Sequence, residues 1–290
     1  MKITDIEAVK KAVFNRPDDA NKGTLGSLLS ICGCYGMAGA AVMAGKAALR
    51  SGLGLLKTAV PKSIYEIIAQ SIYESVYFPL AENKNGALSK ENIDRLLEEA
   101  EKSSAVLIGC GLSVCDDTVA IVNSFVENCT TPMVIDADAL NCIAKNPEIF
   151  LKAKAPIIIT PHPGEMGRLT NSSAKLVNAD RENTACDFAA KYNVVTVLKG
   201  AGTIIASPNG DSYINKTGNS GMATGGSGDV LAGMTGSLLA QGANAFDAAA
   251  AAVYLHGTAG DVAAEKFGKI SMLPTDLIEC IPQAFKNCGF

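Results

Sequence analysis

Residues 216–242 read KTGNSGMATGGSGDVLAGMTGSLLAQG, and the centre of this stretch is the run Gly225-Gly226-Ser227-Gly228-Asp229. Glycine has no Cβ, so such a run lets the backbone turn sharply and approach a ligand closely. The residues that follow, Val230-Leu231-Ala232-Gly233, are small and compatible with a helix. If residues 226–228 open that helix, its first N–H groups lack intrahelical partners. With the helix dipole they make an anion site suited to phosphate. A carboxylate inside an anion site repels the ligand, so Asp229 needs a reason to be there. One reason is a base that must touch the reacting group. The other is an ordinary acidic residue in a helix's first turn, where the dipole favours it.

Upstream of this stretch, apolar runs and helical patterns alternate. A polar lead-in covers 1–22, with helical character at 4–13. An apolar run at 27–32 reads as a buried strand, followed by an Ala/Gly-dense helix at 36–50 that ends at Gly52 and Gly54. Strands are expected at 55–61 and 76–80. An amphipathic helix follows at 90–102, with Ile93, Leu96, Leu97 and Ala100 at helical spacing. The rhythm continues with a strand at 105–111, a helix at 117–128, a strand at 133–136, a helix at 138–145 and a strand at 157–160. Next come a helix at 179–191, a strand at 194–198 and a β-rich patch at 203–214 around the turn Pro208-Asn209-Gly210-Asp211. Helices at 228–241, 245–266 and 274–286 complete the pattern. Buried strands alternating with helices imply an α/β fold with a mostly parallel central sheet and helices on both faces. No linker or repeat interrupts 1–290, so a single domain is expected.

Composition narrows the function classes. Hydrophobic residues make up 48% of the chain, enough for a substantial core. The 25 basic and 29 acidic residues are interspersed, without the basic stripe of a nucleic-acid binder. No apolar run approaches a membrane span, and acidic residues early in the chain argue against a signal peptide. Nine cysteines without a CxxC pair, most of them in apolar segments, fit reduced thiols in the cytoplasm. Cys32 and Cys34 form the one close pair and are expected to be redox-inert.

In open α/β sheets, ligands bind beyond the carboxyl ends of the strands. The chemically informative residues fall there: Gly109 and Gly111, Asp136 and Asp138, His162 and Glu165, then Lys199-Gly200-Ala201-Gly202-Thr203. Asp138 reads as a helix cap, and His256, in an alanine-rich helix, as a core or surface histidine.

The segment 225–229 resembles the anion hole and catalytic Asp of ribokinase-like kinases. An upstream TPNxxE segment usual in that superfamily appears here as Thr160-Pro161-His162-Pro163-Gly164-Glu165, with His in place of Asn. That departure is similar to the NAD(P)H-hydrate dehydratase branch, whose members carry TPHPGE. KGTLGS at 22–27, GAAVMAGKAALRSGLGLL at 39–56, DADALN at 136–141 and KGAGT at 199–203 agree, so the resemblance spans 22 to about 260. The epimerase domain fused to some members is not expected within these residues.

The resemblance implies a ribokinase-like fold and a repair enzyme. Its substrates would be hydrated NADH or NADPH and, as co-substrate, ADP or ATP, with Mg2+. Asp229 would be the catalytic base, and Gly226, Ser227 and Gly228 the anion hole. Lys199, Gly200, Ala201, Gly202, Thr203 and Gly228 would hold the nucleotide. Ala40, Gly111, His162 and Asp229 would contact the hydrated dinucleotide, and Glu165 would organise the metal through water. A homotetramer is implied as well. The same base and anion hole also suit a kinase of sugar, pyrimidine or thiazole alcohols, and His162 with its flanking motifs separates the two readings.

Overall fold

The computed structural model describes residues 1–13 and 16–290. Its short apolar runs form strands because β-branched and aliphatic side chains pack well on a pleated surface. In chain order these are β1 (Lys2–Ile3), β2 (Ser27–Ile31), β3 (Leu55–Pro61), β4 (Ser75–Leu80) and β5 (Ala105–Ile108). They continue with β6 (Met133–Ile135), β7 (Ile157–Ile159), β8 (Val195–Leu198), β9 (Ile204–Ala206) and β10 (Ser212–Ile214). All join one sheet in the order β1-β10-β9-β8-β7-β6-β5-β2-β3-β4. Only β9 runs against its neighbours; the other pairs are parallel.

The helices are α1 (Ile6–Ala12), α2 (Ala38–Arg50), α3 (Tyr65–Ala69), α4 (Ile93–Glu101), α5 (Asp116–Asn128) and α6 (Asp138–Ile143). After them come α7 (Pro163–Leu169), α8 (Ala174–Ala179), α9 (Arg181–Tyr192), α10 (Ser227–Ala240), α11 (Ala245–Phe267) and α12 (Pro274–Asn287). Successive strand residues point to opposite faces, and the core divides accordingly. Leu28, Leu107, Val134 and Ile158 join α2, α10, α11 and α12 in one cluster. Leu29, Ile31, Val106, Met133, Ile135 and Ile159 join α4, α5, α6 and α9 in the other.

Helix α10 lies deepest. Of its 14 residues every one is buried except Gly228 and Asp229. It gets there by having little side chain where it meets α2: a Cβ on Gly233 would stand 2.1 Å from the Ala44 carbonyl oxygen. No side chain fits in that gap. The two helices touch backbone to backbone.

The alternation expected from sequence is present, with the differences confined to short elements. Residues 90–92 form a 3-10 turn before α4 begins, and α6 stops at Ile143. The two-residue β1 and the helices α3, α7 and α8 are additions that runs of two to seven residues could not announce. All nine cysteines are free. Among the described residues no helix is long and apolar enough to cross a membrane.

Candidate active site

The residues singled out from the sequence gather at the carboxyl edge of β2 and β5–β8. Gly226, the N-cap of α10, has φ of 106°, a left-handed conformation that favours glycine. Its neighbours Met43 and Pro274 would be struck by a Cβ there. Behind it, the N–H groups of Gly226 and Gly228 find no acceptor among the described residues. Ser227 is different: its N–H already donates to the Thr224 carbonyl at 3.2 Å. The hole expected at 226–228 therefore offers two free amides from these residues, not three.

Asp229 stands in the first turn of the same helix. Its carboxyl is pushed up to about 6, first by burial and then by Asp136, with Cys110 and Lys199 pulling the other way. Four residues further along α10 is Gly233, which packs on Ala44 of α2. Four residues before Ala44 is Ala40. The close contact of the two helices thus sets Ala40 and Asp229 one turn above it. Gly111 completes this corner, with φ of 63° and space for no Cβ, which would lie 2.8 Å from that of Ala40.

A chain of polar contacts runs from Asp229 across the strand ends. Ligand atoms of Cys110, Asp136 and Asp229 lie within 4.8 Å of one another. Asp136, 1% exposed, takes an ion pair from Lys199 at 2.7 Å. The ammonium also lies 3.9 Å from Glu165. Lys199 is thus drawn inward to two carboxylates instead of reaching for solvent at the sheet edge, and it sits beside Gly228. Loop residues Gly200, Ala201, Gly202 and Thr203 continue directly from it, with the Thr203 hydroxyl donating to the Gly200 carbonyl at 3.0 Å.

His162 is the N-cap of α7. Its Nδ1 accepts from the amides of Gly164 and Glu165 at 3.0 and 3.3 Å, while Glu165 accepts from the His162 amide at 2.7 Å. This reciprocal box fixes the ring. With Nδ1 accepting, the neutral ring carries its proton on Nε2, which lies 3.4 Å from the second Glu165 oxygen. Burial, Lys199 and Arg168 all lower the His162 pKa, so the ring stays neutral near pH 7. Burial raises the Glu165 carboxyl to about 7, with Lys199 opposing it.

One sequence expectation changes here, and another gains detail. Asp138 is not the cap of α6; that position belongs to Ala137, at φ of 51°. The Asp138 carboxylate instead accepts from the Ser113 amide at 2.8 Å, tying the β6 edge to the loop after β5. His256 is a core histidine, as expected, and a hydrogen-bonded one. Its Nε2 lies 3.0 Å from the Ser227 carbonyl, which can only accept, so the imidazole donates and braces the first turn of α10. Burial lowers its pKa to about 4, keeping it neutral. Cys110 went unremarked because a thiol in an apolar run reads as a small hydrophobe. No signal in the sequence places it between two aspartates.

The arrangement offers free amides suited to an anion, a carboxylate beside them, a cation between two acids, and a corner of small residues. A family described as NAD(P)H-hydrate dehydratase matches residues 28–283. The bifunctional NAD(P)H-hydrate repair enzyme of Moorella thermoacetica is 41% identical over 272 residues, 94% of this chain and 51% of that relative. The chain thus spans about half the length of the first curated relatives it matches. The ADP/ATP-dependent NAD(P)H-hydrate dehydratase of Bacillus subtilis, co-crystallised with ATP/Mg2+, superposes with a TM-score of 0.85 at 31% identity, covering 99% of this chain and 98% of that one. A ribokinase-like superfamily protein of Enterococcus faecalis superposes at 0.82 with 25% identity, over 99% of this chain and 96% of that one. On its sequence and its ribokinase-like fold, this chain belongs to the NAD(P)H-hydrate dehydratase family.

Proposed function

We propose that the protein converts the hydrated nicotinamide dinucleotide (6S)-NAD(P)HX back to NAD(P)H, using ADP or ATP and releasing AMP or ADP with phosphate. One observation carries this reading. In a helix otherwise buried throughout, Gly228 and Asp229 alone face the open edge, where free amides and a carboxylate meet. Hydroxide leaves poorly, so the C6 hydroxyl is first phosphorylated. Asp229 takes the hydroxyl proton as the oxygen attacks the terminal phosphorus, and the bond to AMP or ADP breaks. The amides of Gly226 and Gly228 stabilise the charge on the transferring group. The ring nitrogen's electron pair then expels phosphate, and loss of a C5 proton restores the double bond.

Lys199 and residues 200–203 hold the nucleotide together with Gly228. Ala40 and Gly111 leave room for the flat ring, and the half-exposed ring of His162 faces the dinucleotide. The acids here suit Mg2+ only indirectly. Asp136 is already paired with Lys199, and the cluster that it forms with Asp229 includes the thiol of Cys110, a soft donor that magnesium does not favour. Glu165, an oxygen donor buried beside them, fits a role at one remove through water. When bound, the cation neutralises charge on the phosphates. We also place the protein in the cytoplasm as a closed homotetramer, supported by its free thiols and the general preference for closed symmetry.

The deciding experiment supplies ADP with hydrated NADH and, separately, ATP with sugar, pyrimidine and thiazole alcohols. Recovery of reduced nicotinamide absorbance with stoichiometric phosphate is expected in the first arm. Turnover confined to an alcohol would replace this reading with a kinase. Light scattering tests the assembly, for which a species of 30.0 kDa, the mass of one chain, would exclude the tetramer.

A further inference from the structure

Arg181 is the first residue of α9, a position where the helix dipole favours anions and a cation gains nothing. Its guanidinium turns away from its own helix into the loop after β8. Nη2 lies 2.9 Å from the Leu198 carbonyl, 3.3 Å from that of Lys199 and 3.4 Å from that of Gly202. Nη1 donates to the Asn178 side chain at 3.3 Å. The loop is wrapped closely around this group. Gly200 has φ of 145°, and a Cβ there would stand 3.0–3.2 Å from three guanidinium atoms.

Following the carbonyls of the loop, all but that of Ala201, shows what the arginine achieves. Leu198, Lys199 and Gly202 are held by Arg181, Gly200 by the Thr203 hydroxyl and Thr203 by the Asn215 amide at 2.8 Å. By contrast, the N–H groups of Gly200, Ala201 and Gly202 find no acceptor among the described residues. Backbone donors without partners are rare unless water or a ligand meets them. Trans peptide geometry sets each N–H opposite its carbonyl. The carbonyl of one residue and the N–H of the next share a plane, so Arg181, by holding the Lys199 carbonyl, turns the Gly200 amide away from itself, and the Thr203 hydroxyl on the Gly200 carbonyl does the same for Ala201.

We propose that Arg181 is a positioning residue for the nucleotide co-substrate, anchoring both ends of the 199–203 loop so that the free amide of Gly200, and with it the loop that carries those of Ala201 and Gly202, faces ADP or ATP. This rests on the function proposed above. Nη2 meets the three carbonyls while Nη1 holds Asn178; a lysine ammonium, a single compact donor group on a flexible stem, cannot hold both sides at once. The same arginine has no contact with Ala40, Gly111 or His162, so the dinucleotide side should not feel its loss.

The test compares wild type with Arg181→Met and Arg181→Lys. It uses calorimetry with AMP and ADP, KM for ADP and for hydrated NADH, and thermal melting. Arg181→Met should weaken nucleotide binding about tenfold or more, as expected when hydrogen bonds to a charged group are lost. KM for the hydrate should stay within about twofold, and Arg181→Lys should recover part of the nucleotide loss. Unchanged nucleotide affinity overturns the proposal. So does an equal loss for both ligands in step with a lower melting point, which would mean a structural role only. Should Arg181→Met fail to fold, Gly200→Ala presses on the same contact and must give the same nucleotide-selective loss, or the proposal fails. Wild-type protein that binds no nucleotide would instead remove the functional reading, and this inference with it.

Discussion

On one face of the sheet, helices α2, α10 and α11 meet through alanine and glycine; on the other, α5 and α9 meet the strands through phenylalanine and tyrosine. The first face packs Ala41, Ala44, Ala47, Ala48 and Gly233 between helices. The second is filled by Phe125, Phe150, Phe188 and Tyr192, with Phe188 and Tyr192 ring centroids 4.5 Å apart. Large side chains bury more area apiece, yet they hold backbones apart. Small ones let helices touch, and two helix N-termini then reach the same spot at the sheet edge. The aromatic face is core without a candidate site residue on it. The glycine–alanine face carries the candidate site, and substitutions on the two should fail in different ways.

Asp229→Asn should sever the chemistry alone. Turnover should fall by a factor on the order of 10²–10⁴ while AMP binding and the fold persist. A variant keeping more than about a third of wild-type turnover would remove Asp229 as the base. Its stability should move the other way. The carboxyl is raised from 3.8 to about 6, so the folded state holds its proton more firmly than the unfolded chain does. That advantage is complete below the unfolded value and is lost as pH rises through the folded one. Asparagine never ionises, so the variant should melt above wild type at neutral pH, with the gap closing as pH falls toward 4. A gap independent of pH would contradict the burial of Asp229.

Phe125→Ala on the opposite face should show the reverse pattern, costing about 3–5 kcal/mol in denaturant unfolding with kcat unchanged in the folded fraction. A matching loss of kcat would mean the two faces are not separable. Gly233→Ala adds one methyl where a Cβ would stand 2.1 Å from a carbonyl oxygen. It should cost about 1–3 kcal/mol and lower kcat as well, because any separation of α10 from α2 displaces Asp229 from Ala40. Normal kcat at reduced stability would show that the helix contact does not aim the base.

His162→Asn is the subtler probe. Losing one hydrogen bond costs on the order of 1–2 kcal/mol, roughly a five- to thirtyfold change in binding. Calorimetry should find that loss with the hydrated dinucleotide and not with AMP. Equal weakening for both would reduce His162 to its capping role and favour the kinase reading. Smallest of all is the acid limb of the rate. kcat/KM should fall as pH drops through about 6, where Asp229 takes up its proton. A flat profile between pH 5 and pH 7 would count against the assignment.

The alternation of buried strands and helices, the open edge at which glycines, acids and Lys199 collect, and the glycine turn into α10 were all legible in residue order. Each depends on contacts or propensities within a few positions, which a periodic pattern records directly. The short elements were not legible, because two to seven residues hold no full period: α7 became a helix through a capping box that joins His162 to Glu165. Tertiary structure alone decided the rest. Nothing in the chain order says that the Cys110 thiol lies between Asp136 and Asp229, that His256 braces Ser227, or that Asp138 leaves its own helix for the Ser113 amide. Nor does it say that Arg181 folds back on the loop after β8, or that Ser227 spends its amide on Thr224. These contacts join residues whose proximity depends on how sheet and helices stack, and a sequence specifies that stacking only through the whole packed core.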